Sequence, residues 1–228
     1  MAARVSPLRV HLFDYGVGNI HSISKALRAV GAHVTIVSDP ERLVGARAIV
    51  LPGVGAFGAA IDALAPTPRL RSALRLRLLS STAPPTLGVC VGFQVLCRSS
   101  EESRGAGVGV FPTAVRRLRR PPVPHMGWAL VTPRKGRGIA ALRSAHPALR
   151  TLPSPPYLYY AHSYGPRVDR YTLAQTVHGV PFGAIAARGR VLGVQFHPEK
   201  SAGVGLALLR GWAKWASAIV RGDPGGER

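Results

Sequence analysis

Carboxylates are scarce in this chain. Ten Asp and Glu stand against thirty Lys and Arg, leaving a formal charge of +20 over 228 residues. Lysine is rare too: only Lys25, Lys135, Lys200 and Lys214 occur, and the other basic residues are arginines. A strong positive charge can mark a nucleic-acid partner. The arginines are scattered, however, apart from clusters at 69–77 and 116–120, and the sequence is rich in Ala, Gly and Pro as well. That pattern fits a compositional bias spread over a solvated surface, and charge alone is a weak pointer to function. Nucleic-acid binding is the unfavoured reading. Two cysteines, Cys90 and Cys97, are too few for a disulfide framework and fit reduced thiols. No apolar run reaches the roughly 18 residues that span a bilayer. The opening MAARVSPLRVHLFDYG lacks the long apolar region and cleavage site of a secretory signal. A soluble, cytoplasmic protein without membrane contact is expected.

What is present is apolar sequence, 46% of the residues, enough for a sizeable core. The first half alternates strand-like and helix-like runs, the signature of an α/β fold with a largely parallel sheet. Strands are predicted at 8–13, 33–37, 48–51 and 86–89. Helices are predicted at 20–30, as a pair between 57 and 80 broken by APTPR, and from Gly92 to Arg98, with Cys97 on the inner helix face. The second half reads as strands at 108–118, 123–132, 157–163, 173–178, 183–187 and 191–196 with few helices, hence antiparallel additions. A closing helix over 201–220 carries an apolar stripe of Val204, Leu208, Trp212, Trp215 and Ile219. One domain over 1–221 and a disordered tail over 222–228 are expected.

The run Gly88-Val89-Cys90-Val91-Gly92 joins a strand to a helix. Such an elbow holds its central residue in a strained turn above the sheet, and strand and helix approach so closely that the flanking positions must be small. The helix N-terminus then favours thiolate over thiol. A buried structural cysteine is the competing reading. A nucleophile needs a base, and among eight histidines the strongest candidate lies in GVQFHPEK. There a strand carries His197 to its end, and Glu199 two residues later in extended chain would share its side and reach one ring nitrogen. Cys90, His197 and Glu199 then follow nucleophile–base–orienter logic for acyl transfer. Backbone N–H groups of Val91 and of Gly53-Val54-Gly55 could stabilise an oxyanion. No metal or cofactor is called for.

The segments DYGVGN (14–19), LPGVGAF (51–57), LGVCVGFQVL (87–96), SEE (100–102), VPHMGW (123–128), YYAHSY (159–164) and GVQFHPEKS (193–201) resemble the triad-type class I glutamine amidotransferases. More narrowly, they resemble the glutaminase subunits of imidazole glycerol phosphate synthase. The resemblance implies an α/β glutamine amidotransferase fold, flavodoxin-like or α/β-hydrolase-like, with a mostly parallel central sheet and helices on both faces. It implies that Cys90, His197 and Glu199 form the triad and that Gln94, Glu102, Ser163 and Tyr164 surround the glutamine substrate. It implies a heterodimer with a barrel-type cyclase that receives the ammonia and makes imidazole glycerol phosphate and aminoimidazole carboxamide ribotide, with Asn19, Trp128, Tyr159 and Lys200 facing that partner. Ala129 stands where the family reads asparagine. A glutaminase subunit of another ammonia-using synthase is the alternative. Cysteine-elbow peptidases and deglycases place histidine directly after the cysteine, where this chain has Val91.

Overall fold

The computed structural model describes residues 7–18, 20–53, 55–119, 122–136 and 138–222. Asn19, Val54 and the tail beyond Gly222 lie outside the described residues. The strands are β1 (Arg9–Phe13), β2 (His33–Val37), β3 (Ile49–Leu51), β4 (Thr86–Val89), β5 (Cys97–Ser100), β6 (Phe111–Arg117), β7 (His125–Leu130), β8 (Thr132–Pro133), β9 (Tyr157–His162), β10 (Tyr164–Pro166), β11 (Thr172–His178), β12 (Val180–Arg188) and β13 (Val191–Val194). The α-helices are α1 (His21–Ala29), α2 (Phe57–Leu64), α3 (Pro68–Leu79), α4 (Val91–Leu96), α5 (Gly138–Ala145) and α6 (Ala202–Arg221).

The main sheet runs β2-β1-β3-β4-β13-β12-β11-β8. From β2 to β13 all neighbours are parallel; β12, β11 and β8 add on antiparallel. The parallel part thus keeps the 2-1-3-4-5 order of doubly wound sheets, with β13 in fifth place. β3, β4 and β13 are buried along their whole length. That explains their continuous apolar runs, since a central parallel strand has no solvent face. Two smaller sheets, β10-β6-β5 and the pair β7-β9, complete the second half. α1 packs against α6, and α2 against α4.

The break between α2 and α3 has a local cause. Thr67 accepts a hydrogen bond from Leu70 N at 3.1 Å and Pro68 opens α3, a capped start with proline at the first helical position. α6 follows the predicted stripe, burying Leu208, Trp212 and Trp215. Three sequence expectations need correction. The helix after Cys90 ends at Leu96, and Cys97 opens β5 instead of sitting on a helix face. Residues 108–110 precede β6 without joining it. α5, β5 and β10 were not foreseen: each is short, too short for a periodicity to register.

Candidate active site

β3, β4 and β13 lie side by side, Leu51 level with Gly88 and Val89 level with Val194. Being parallel, they open their carboxyl ends on one edge of the sheet, where α/β folds bind ligands. The chain leaves β3 through Pro52-Gly53, β4 through Cys90 and β13 through Gln195–His197. Residues far apart in sequence therefore meet at one point.

Cys90 has φ 48° and ψ −109°, a conformation that costs an L-residue on the order of 1–3 kcal/mol. It is held there on both sides. Its N–H donates to Val194 O at 2.7 Å, and its carbonyl accepts from Phe93 N and Gln94 N at 3.0 Å each. The glycines on either side are needed for close approach. A Cβ on Gly92 would stand 2.0 Å from Leu51 O, and one on Gly88 would stand 2.7 Å from Gly92 O. Both neighbours are backbone, so neither can swing aside.

His197 is fixed through its main chain: its N–H donates to Tyr159 O at 2.8 Å and its carbonyl accepts from Ser201 Oγ at 2.6 Å. Its ring Nδ1 lies 2.8 Å from Glu199 Oε1. A carboxylate only accepts, so Nδ1 carries the proton and Nε2 is left for Cys90, to which the ring is also hydrogen-bonded. The expected extended geometry is wrong in detail. Pro198–Lys200 is a 3₁₀ turn, and Glu199 reaches the ring by folding back instead of by alternation. His197 also lies three residues past the end of β13. Burial pulls the imidazole pKa down, but the Cys90 thiolate, through charge and hydrogen bond, and then Glu199 outweigh it and raise the group to about 10. The imidazolium is thus the favoured form of His197. Gly53 closes the third side: a Cβ there would lie 2.6 Å from Cys90 Cβ and 3.0 Å from His197 Cε1.

Cys90 opens on a cleft of about 270 Å³, also lined by Gly55, Val91, Gln94, Glu102, Ser163 and Tyr164. That is small by the standard of ligand pockets and suits an amino-acid-sized molecule. Two of the candidates already have polar work. Gln94 Nε2 donates to Tyr164 O at 2.8 Å and to Gln195 Oε1 at 3.0 Å, and Glu102 Oε2 accepts from Phe57 N at 2.9 Å, at the start of α2. Gly55 takes φ 81°.

Two residues at the site went unforeseen. Gln195 is fully buried and directs Nε2 to Cys90 Sγ at 3.5 Å; its signal was parity, two residues before His197. His162 lines the cleft and contacts Tyr164 O through Nδ1 at 2.8 Å. Burial first, with the neighbouring histidines, lowers its pKa to about 3 despite that bond to Tyr164. His162 is therefore neutral, donates from Nδ1, and accepts at Nε2 from His125 Nδ1, 3.2 Å away. Its signal was alternation with Leu158 and Tyr160 on the buried face of β9.

Beside the cleft, whose lining takes in Met126 and Ala161, the β7–β9 pair turns one face to solvent. Trp128 pairs with Tyr159, Met126 with Ala161 and Leu130 with Tyr157. Met126 is 65% exposed and Trp128 52%, an apolar stripe of the kind that marks an interaction surface. Tyr159 also joins this stripe to the histidine turn, because its carbonyl holds His197 and its N–H donates to Ser201 Oγ at 2.9 Å. Lys200 is exposed on that turn. Among the described residues no group of three or more His, Cys, Asp or Glu could hold a metal ion, and no helix is long and apolar enough to cross a membrane.

The family described as glutamine amidotransferase class-I matches residues 11–211. The imidazole glycerol phosphate synthase subunit HisH of Symbiobacterium thermophilum is 36% identical over 220 residues, 95% of this chain and 98% of that protein. The subunit of the same name from Thermosynechococcus vestitus is 39% identical over 207 residues, 88% of this chain and 94% of that protein. Among solved structures, a putative GMP synthase component from Thermoplasma acidophilum superposes with a TM-score of 0.64 at 19% identity, covering 95% of this chain and 97% of that one. PurLQS from Thermotoga maritima gives 0.61 at 18% identity, covering 93% and 97%. These two likenesses show the fold. A family match over most of the chain, relatives well above 30% identity end to end, and a cysteine elbow facing a histidine–glutamate pair lead to one conclusion: this chain belongs to the class I glutamine amidotransferases, in the HisH family.

Proposed function

We infer that residues 1–221 act as one glutaminase domain, which hydrolyses glutamine and passes the ammonia to a cyclase subunit to make imidazole glycerol phosphate and aminoimidazole carboxamide ribotide. The observation that carries the reading is the juxtaposition of a strained, buried Cys90 with a His197 that Glu199 holds in one tautomer. Cys90 thiolate attacks the carboxamide carbon. The tetrahedral oxyanion is stabilised by backbone N–H groups of Val91 and of the Gly53-Val54-Gly55 segment, each donor contributing about 2.7–4 kcal/mol in comparable sites. His197 Nε2 gives its proton to the leaving ammonia, and a thioester remains. The now neutral ring takes a proton from water, and the hydroxide releases glutamate. Glu199 keeps the proton on Nδ1 throughout. Gln94, Glu102, Ser163 and Tyr164 hold the amino-acid end of the substrate.

The cyclase, a (β/α)8 barrel, docks on the Met126–Trp128–Tyr159 stripe beside Lys200, and the pair works as a heterodimer in the cytoplasm; the part the family resemblance gives Asn19 in this contact falls outside the described residues. Support for this seat is the exposed apolar face and its link to His197 through Tyr159. The test is glutamate formation by the chain mixed with a candidate cyclase. A stable complex whose glutamine turnover disappears with Cys90→Ala, while turnover on ammonium salts persists, is expected. Glutaminase activity that survives Cys90→Ala would sink the assignment of the nucleophile.

A further inference from the structure

A second cavity, of about 260 Å³, lies away from the glutamine cleft and shares no lining residue with it. Four arginines converge on it: Arg71 and Arg75 from α3, Arg98 from β5 and Arg188 from the end of β12. They are up to 117 positions apart, so only the fold gathers them. No carboxylate lines the cavity among the described residues. This differs from the other arginine cluster, where Glu101 accepts from Arg116 at 2.7 Å and lies 4.0 Å from Arg119.

Such an arrangement is unfavourable if left alone. Arg71 and Arg75 stand four apart on one helix, and like charges at that spacing repel; Arg98 and Arg188 add to the repulsion. The guanidinium groups are nevertheless held in place. Arg71 Nη1 donates to Ala106 O at 3.4 Å, Arg75 Nε to Gly109 O at 3.2 Å and Arg188 Nη1 to Val110 O at 2.6 Å. Arg188 also lies over the Tyr171 ring, 4.9 Å from its centroid. Among the described residues these bonds use one N–H of each guanidinium and leave the other donors of the fork free. The Arg98 carbonyl accepts from Gly107 N at 2.9 Å, but its guanidinium has no hydrogen bond or ion pair among the described residues. Preorganised, unneutralised guanidinium groups around a small concavity are what a phosphate group is recognised by.

We propose that this four-arginine cavity is a binding site for a compact, multiply charged phosphate, such as a pyrophosphate or the polyphosphate end of a small molecule. Its concave shape and size select a small anion over a nucleic-acid backbone, which would lie on a flat or grooved surface.

Titration of inorganic pyrophosphate into the full chain, followed by calorimetry at low and high salt, tests this. One pyrophosphate per chain is expected, bound more tightly than inorganic phosphate. Arg98→Ala and Arg75→Ala should each weaken it about tenfold, the effect of one charge-assisted hydrogen bond. Arg28→Ala, an exposed arginine on α1 outside the cavity, should leave it unchanged. Arg98→Ala decides if Arg75→Ala proves unstable. No saturable binding, unchanged affinity in Arg98→Ala, or an equal loss in Arg28→Ala would each overturn the proposal. So would duplex DNA binding more tightly than pyrophosphate and displacing it, which would assign the charge to a nucleic-acid partner.

Discussion

Gly53→Ala is the most direct probe of the site's tolerance. Gly53 has no left-handed backbone, so alanine is acceptable there on local grounds; the obstacle is space. The new Cβ would lie 2.6 Å from Cys90 Cβ, 2.9 Å from Val89 O and 3.0 Å from His197 Cε1. Carbon atoms prefer about 3.5–4.0 Å, so something must move by about 1 Å. Val89 is backbone in a buried strand. Cys90 is pinned by its hydrogen bonds to Val194, Phe93 and Gln94. His197 is held by Tyr159, Ser201 and Glu199. The movement therefore separates the thiol from the imidazole. An overpacking cost of about 1–3 kcal/mol follows, and a displacement of this size at a reacting pair costs about a hundredfold in rate. Glutamate formation by the cyclase complex should fall by that factor in kcat, with ammonium-dependent turnover retained. Gly45→Ala, where a Cβ meets nothing within 4 Å, should match wild type. A folded Gly53→Ala complex with wild-type kcat would refute the argument that Gly53 is there to make room for the Cys90–His197 pair.

Alkylation offers a simple check on the two thiols. Cys97 is completely buried, and burial pushes its pKa well up, so iodoacetamide should label Cys90 alone; labelling of Cys97 in the native chain contradicts its place in β5. Acid stability should follow the buried histidines. Burial lowers His125 and His146 to about 4 and His162 to about 3, so the unfolded chain takes up protons near pH 6.5 that the folded chain refuses. This stability is complete above about pH 6.5 and is lost as pH falls through 4, at about 3 kcal/mol for His146 alone. His146→Asn, whose side chain can still accept from Ala148 N, should flatten the Tm profile between those values, and an unchanged slope means the histidines are not its cause. Trp128→Ala should weaken the cyclase complex by about 2 kcal/mol or more, as exposed aromatic anchors do, and full affinity in the variant would move the interface elsewhere. The isolated chain should turn over glutamine slowly and speed up when cyclase and its ligand bind, with Lys200→Ala reducing that stimulation more than glutamine binding; full activity without partner argues against gating through the histidine turn.

The elbow around Cys90 was legible in the sequence alone, because the constraints that shape it are local. A glycine two residues to either side of Cys90 is required by strand–helix contact at a single corner, and such a requirement leaves its mark within five residues. The same holds for the parallel strands, whose two-sided burial makes β3, β4 and β13 apolar throughout, and for α6, whose stripe repeats at helical spacing. Elements of three to eight residues, such as β5, β10 and α5, offered no such repeat. What the sequence could not express is relative position. That β13 inserts beside β4, skipping every strand between them, is decided by the register of the whole sheet, and only this brings His197 to Cys90. Glu199 reaches the imidazole because Pro198 opens a 3₁₀ turn that Ser201 closes on His197 O, a fold-back that alternation in an extended chain does not predict. Arg71, Arg75, Arg98 and Arg188 read as scattered charge along the chain, and they become a site only because α3, β5 and β12 pack around one loop. Distance along the chain hides such groupings, since side chains that share a cavity need share no spacing.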